Sequence, residues 1–164
     1  MSQHNLKGKT VLITGGAKNL GGLISRKFAE QGANLLIHYN STATQSDAEE
    51  TLQAVQALGV KAILVQADLA NIQNIEDLFV QAKAEFGGVD IAINTVGRVL
   101  KKPYLDTTEQ EFDGMNDINN KIAYFFIQSA GRHLNANGKI CAIVTSLLAA
   151  YTGLYSTYEG LKAP

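Results

Sequence analysis

Tyr158 and Lys162 stand four residues apart in "STYEGLKAP" (156–164). On a helix, positions i and i+4 share a face. A free tyrosine has a pKa of about 10, too high for proton transfer at neutral pH, and a neighbouring ammonium favours the phenolate. Such a tyrosine can act as a general acid in one direction and a general base in the other. A carbonyl oxygen that gains negative charge in that exchange needs a hydrogen-bond donor. Ser146, twelve residues before Tyr158, supplies a hydroxyl; Thr145 offers another, and a loop-capping serine is the plain alternative. Asn119 and Asn120 sit together in a stretch of helical pattern, where asparagine is mildly unfavourable. They read either as a solvent-facing pair or as a side chain kept for use. The Tyr–Lys spacing alone carries little, because six tyrosines and eleven lysines supply about 0.4 such pairs by chance.

A second candidate site is "TGGAKNLGG" (14–22). Glycines that leave a strand and open a helix let the backbone approach a phosphate, and the helix start offers free N–H groups and partial positive charge. The plain alternative is a tight strand–helix turn.

These residues need elements to hold them. "TVLIT" (10–14) is a compact β-branched run, read as a strand buried on both faces. Further strands are expected at 33–39, 61–67, 89–96 and 138–146, the last ending at Ser146. Helical patterns cover 20–32 (Leu20, Leu23, Ile24, Phe28 and Ala29 inward, Gly32 closing) and 44–58 (Leu52, Val55 and Leu58 inward, Gly59 closing). Others cover 72–86, capped by Asn71 or Asp68, and about 108–134, with a last helix from near Tyr155. This alternation predicts βαβ units: an α/β, doubly wound parallel sheet of five strands in order 3-2-1-4-5, with helices on both faces.

With these pieces in order, the sequence resembles the short-chain dehydrogenase/reductase family over nearly its whole length. The family's T-G-x-x-x-G-x-G fingerprint lies over Thr14, Gly15, Asn19 and Gly21, with asparagine at position 19 where glycine is usual. Lys18 and Leu20 complete the loop. "ADL" (67–69) resembles the segment whose acid holds the adenine amine, which implies Asp68, with Leu69 beside it. "INTVG" (93–97) resembles the family's N-N-A-G: Asn94 and Gly97 agree, Thr95 and Val96 depart. The resemblance implies that Tyr158 transfers the proton and Ser146 holds the substrate oxygen. It also implies that Lys162 reaches the nicotinamide ribose and that Asn119 carries a water toward Lys162. The family's serine usually stands one residue further from its tyrosine. Tyr104, Tyr151 and Tyr155 border the expected mouth of the site.

The resemblance implies a nicotinamide cofactor and a small carbonyl or alcohol substrate, of the 3-oxoacyl or small ketone or aldehyde class. No Asp or Glu follows the second strand before Asp47; "HYNSTATQ" (38–45) offers His38, Asn40, Ser41 and Thr42 instead. A carboxylate there would repel a 2′-phosphate. Lys18 supplies positive charge, so NADP(H) is expected in preference to NAD(H). His38 reads equally as a polar residue at a strand end. A homo-oligomer, dimer or tetramer, is expected from the family. A cofactor-binding chain without catalysis is the rival reading.

The 164 residues fit one domain, with 46% hydrophobic and 18% charged residues. A net charge of −1 gives no broad pull toward nucleic acid or membrane. A single cysteine, Cys141, excludes an internal disulfide framework and reads as a small buried hydrophobe. His4 and His133 lack ligand-spaced partners, so no metal site is expected. No apolar run has the length of a membrane span, and a cytoplasmic protein is expected. Family members continue past the catalytic lysine, so the chain is expected to be the front part of a longer enzyme, 1–164 forming one domain with the C-terminal strands absent.

Overall fold

The computed structural model describes residues 5–150 and 152–163. The chain runs β1 (Thr10–Thr14), α1 (Asn19–Glu30), β2 (Asn34–Tyr39), α2 (Gln45–Gln56), β3 (Ala62–Gln66), α3 (Ile72–Phe86) and β4 (Val89–Asn94). It continues as α4 (Glu109–Asn116), α5 (Ile122–His133), β5 (Leu134–Ala142) and α6 (Ser156–Leu161). The strands form one parallel sheet in order β3-β2-β1-β4-β5, the predicted order.

Strand alternation sends neighbouring side chains to opposite faces. Val11 and Ile13 of β1 join Leu35 and Ile37 of β2, Ala29 of α1 and Val55 of α2 in one core. Leu12 and Leu36 point the other way, into a core with Phe79 of α3 and Phe126 of α5. All five residues of β1 are buried, as a strand covered on both faces requires. The Phe79 and Phe126 rings lie 5.7 Å apart at 45°. Truncating such a buried ring costs about 3–5 kcal/mol.

The ends of the helices are set by local chemistry. Asn71 caps α3, its side chain accepting from the Gln73 N–H at 3.2 Å, and Gly87 ends it at φ 87°. Thr108 and Glu111 form a reciprocal capping box at the start of α4.

Four expectations need correction. Leu20, Leu23 and Leu58 are about half exposed. The buried side of α1 is instead Gly21, Gly22, Ser25 and Ala29, because that helix lies too close to the sheet and its own loop for larger residues. The expected long helix holds a π segment, Asp117–Lys121, between α4 and α5, with Asn119 at its centre. β5 begins and ends four residues before its expected limits, with a register irregularity opposite Val89–Ile91 and Asn137 at φ 65°. Cys141 is exposed, because β5 forms the edge of the sheet. No helix among the described residues is long and apolar enough to cross a membrane.

Candidate active site

The glycine loop bridges β1 and α1 by close backbone contact. Gly15 has φ 68° and Asn19 φ 49°, so asparagine takes the left-handed position that the fingerprint gives to glycine. A Cβ on Gly21 would lie 1.9 Å from the Gly15 carbonyl oxygen. The Ser25 hydroxyl lies 2.8 Å from the Gly16 carbonyl and 3.0 Å from that of Gly21, bracing the turn from beneath. Lys18 at the N-cap of α1 makes no side-chain capping bond, and the first turn holds no acid. The positive end of the helix therefore faces outward unneutralised.

Thr14 and the end of β4 close the other side of the loop. The Thr14 hydroxyl donates to Asn94 Oδ1 at 2.7 Å, and that oxygen also accepts from the Val96 N–H at 3.1 Å. Thr95 Oγ1 lies 2.8 Å from the Thr14 carbonyl and 3.2 Å from that of Gly15. The departure from N-N-A-G thus adds a hydroxyl stitch between the turns instead of a steric burden. A 300 Å³ cavity follows, lined by Lys18, Asn19, Leu20, Asn40, Thr44 and Gly97 among others. A 340 Å³ cavity beside it is lined by Asp68, Leu69, Arg98 and Asp117 among others. Arg98, Thr44 and Asp117 escaped the sequence reading, for none belongs to a motif; the unusual Arg after "TVG" was the available signal.

His38 lines the second of these cavities with Gly15 and Asp68, but its ring nitrogens face the backbone. It is buried; Nδ1 accepts from the Gly15 N–H at 3.1 Å, and Nε2 lies 2.9 Å from the Ala67 carbonyl. One acceptor and one donor nitrogen define a neutral imidazole. Burial pushes its pKa down, against the opposing pull of the Ala67 carbonyl and Asp68. With both nitrogens engaged by backbone, His38 ties the glycine loop to β3 and has no nitrogen free for a phosphate. Lys18 pairs with Asp47 at 3.2 Å, both side chains nearly half exposed. Ser41 opens a 3₁₀ turn at Thr42–Thr44, its carbonyl accepting from the Thr44 hydroxyl at 3.0 Å. Asp68 accepts from the Ala70 N–H at 3.0 Å.

At the other end, Lys162 is buried and Nζ donates to the Ile143 carbonyl at 2.8 Å. Burial pushes its pKa down. It caps the C-terminus of α6 instead of lying within the helix, so Tyr158 is inside α6 and its partner one residue past the end. Asn119 is buried in the π segment, Oδ1 accepting the Arg98 N–H and Nδ2 donating to the Arg98 carbonyl, each at 2.9 Å. A Cβ on Gly97 would fall 2.9 Å from Lys162 Nζ and 3.0 Å from Asn119 Oδ1, so glycine there lets both side chains close in on one point. Asn120 only bonds to Asn116.

Ser146 begins a 3₁₀ turn, Ser146–Leu148, that Thr145 caps by accepting the Leu147 N–H at 3.3 Å. The Thr145 hydroxyl thus accepts one bond and keeps its proton, while Ser146 is exposed. Ser146 and Tyr158 line one 690 Å³ cavity with Tyr155. Tyr104, 72% exposed, lies in a different cavity, and Tyr151 is outside the described residues. His133 bonds to Glu76, which also accepts from Ser129. Those two bonds hold the Glu76 carboxyl below its ordinary pKa. Among the described residues no cluster of three or more His, Cys, Asp or Glu could hold a metal.

A family model described as enoyl-(acyl carrier protein) reductase matches residues 15–164. The chain is 34% identical over 160 residues to the hydroxynaphthalene reductase arp2 of Aspergillus fumigatus, covering 96% of this chain and 57% of that protein. It is 30% identical to the short chain dehydrogenase mdpC of Emericella nidulans, covering 97% of this chain and 60% of that one. The chain thus spans somewhat over half the length of these relatives. A dehydrogenase from Burkholderia cenocepacia with bound NADP superposes with a TM-score of 0.95 at 56% identity, over 98% of this chain and 61% of that chain. A short-chain dehydrogenase from Oenococcus oeni gives a TM-score of 0.78 at 52% identity, over 94% and 69%. The glycine loop, the sheet order and these likenesses agree: the chain belongs to the short-chain dehydrogenase/reductase family.

Proposed function

We propose that the chain carries the nucleotide-binding and proton-transfer halves of an NADP(H)-dependent oxidoreductase that interconverts a carbonyl compound and its alcohol. The observation that carries this reading is the convergence at Gly97. The groove that starts at the glycine loop ends there, against buried Lys162 and Asn119, with Tyr158 and Ser146 lining the next cavity. The loop fits a dinucleotide: the start of α1 is open, and glycine at 15 and 21 lets the turn pack tightly against itself and Thr95, where a side chain would collide.

When bound, the nicotinamide supplies or accepts the hydride. The protein's own part is acid–base and positional. The Tyr158 hydroxyl gives its proton to the carbonyl oxygen in reduction and takes it back in oxidation. The Ser146 hydroxyl donates to the same oxygen as charge develops. Lys162, held by the Ile143 carbonyl, keeps an ammonium beside Gly97. Both polar atoms of the Asn119 side chain are used on Arg98, so its share in a proton path falls to the main chain of the π segment.

The preference for NADP(H) rests on Lys18 and on the polar, acid-free end of β2 at Asn40 and Ser41. The Burkholderia cenocepacia protein with bound NADP supports it. Tyr124 and Ile127 of α5 and Phe112 of α4 are exposed, and assembly of copies would cover them. Titration with NADPH and NADH tests the cofactor reading: NADPH is expected to bind at least about tenfold more tightly. Tighter NADH binding would overturn it.

A further inference from the structure

Beyond the proton-transfer groups, the cavity beside Tyr158 holds one charged lining residue, Lys101. Its placement is built in. The next residue, Lys102, is fixed twice: its N–H donates to the Leu154 carbonyl at 2.8 Å, and its ammonium lies 2.8 Å from both carboxylate oxygens of Glu111. Lys102 and Thr108 hold the Glu111 carboxyl down to about 2, so this tie is charged across the working pH range. Pro103 then fixes the chain direction. With Lys102 committed to Glu111, Lys101 is turned to the cavity, where its ammonium stands 5.8 Å from the centroid of the Tyr155 ring. That ring is 6.5 Å from the ring of Tyr158. The opposing wall is equally constrained: Leu154 adopts φ 74°, a costly conformation for a branched residue, held by the bond to Lys102. Among the described residues no carboxylate lies within ion-pair distance of Lys101, and no Asp or Glu lines this cavity. The chain as a whole is slightly acidic, so the cation is not part of a general basic surface.

We propose that this cavity takes a carbonyl compound bearing an anionic group, carboxylate or phosphate, about one aromatic ring away from the reacting carbonyl, and that Lys101 pairs with that group. The inference rests on the reading of Tyr158 as the proton donor. Lys101 and the Tyr155 ring together form an edge that suits a flat or extended spacer ending in an anion. Lys101 is exposed, but a cation held over a ring on a pinned loop gives up less freedom on meeting an anion than an unrestrained lysine does.

The test is calorimetric titration of the full chain, with and without saturating NADP⁺, using 4-acetylbenzoate, its methyl ester and 4-acetylphenyl phosphate. These ketones place the charge one ring from the carbonyl. The wild type should bind the acid or the phosphate about fivefold or more tightly than the ester, and added salt should shrink the gap. Lys101→Gln should abolish the gap and Lys101→Arg should keep it, with ester binding unchanged in both. The stronger of the two anions names the source of the charge. Equal affinity for acid, phosphate and ester, an unchanged gap in Lys101→Gln, or no binding of any of the three would overturn the proposal. Failure of NADP⁺ to bind would count against the cofactor reading alone, since the ketones are also titrated without it.

Discussion

Asn119 grips the backbone of Arg98 from both sides: Oδ1 accepts the Arg98 N–H and Nδ2 donates to the Arg98 carbonyl, each at 2.9 Å. A regular helix has no reason to hold an asparagine at its centre, and here the helix opens into a π segment around it. The grip fixes the loop after β4, and with it Gly97 and the floor between the two cavities. Asn119→Ala removes both partners of the Arg98 backbone, and because these bonds are only partly buried the loss should be about 1 kcal/mol each. Thermal melting should rank wild type above Asn119→Asp, which keeps the acceptor, and Asn119→Asp above Asn119→Ala. An alanine variant that melts with the wild type would show that the grip supports nothing.

Gly21→Ala should destroy cofactor binding without regard to cofactor type. Its methyl would run into the Gly15 carbonyl oxygen, a backbone atom that cannot swing aside, so the loop must open. Affinities for NADPH and NADH should both fall by at least about tenfold. A selective loss of one alone would mean that the glycine serves the 2′ end instead of the pyrophosphate.

His38 acts on the loop from behind, through the Gly15 N–H. His38→Leu should therefore weaken NADPH and NADH equally, whereas a direct 2′-phosphate contact would make the loss specific to NADPH. Burial lowers the folded-state pKa of His38 below 6.5, so the unfolded chain binds the proton more readily. Stability should fall as pH drops below about 6.5, and the wild type should lose ground to the leucine variant over that window. Urea midpoints from pH 7.5 to 5 measure this; parallel curves would contradict it.

Lys162 shows the same linkage at the alkaline end. Burial holds its folded-state pKa below the ordinary 10.5, so the unfolded chain again binds the proton more tightly and stability rises with pH below that value. Compared with Lys162→Met, the wild type should gain stability as pH rises toward the ordinary lysine value of 10.5. The same variant should lose turnover by about a hundredfold or more.

Much of this was legible in the chain itself. The apolar β-branched runs and the glycines closing α1 and α2 led to the strand order, because they reflect burial on both sheet faces and forced left-handed turns. Asn119 and Gly97 were legible as family positions. Other features depend on what comes together in space. Leu20 and Leu23 have helical spacing yet lie outward, because the spacing cannot tell that α1 sits on its own loop and needs small residues there. His38 read equally as a phosphate contact or a strand-end polar residue, because its partners, Gly15 and Ala67, lie 23 and 29 residues away along the chain. Cys141 looked buried because its apolar run reads as a covered strand, although the expected order 3-2-1-4-5 already left the fifth strand at the edge. Lys101 and Lys102 are adjacent lysines in sequence, and only the Glu111 tie separates their roles.

Tyr158 is proposed as the proton donor of a site whose cofactor groove is built independently of it. Tyr158→Phe measures this most directly, with the NADPH dissociation constant and the rate of NADPH-dependent ketone reduction taken on the same preparation. The affinity should stay within about twofold of the wild type while the rate falls by at least about a hundredfold. A phenylalanine variant that reduces the ketone at the wild-type rate would contradict it.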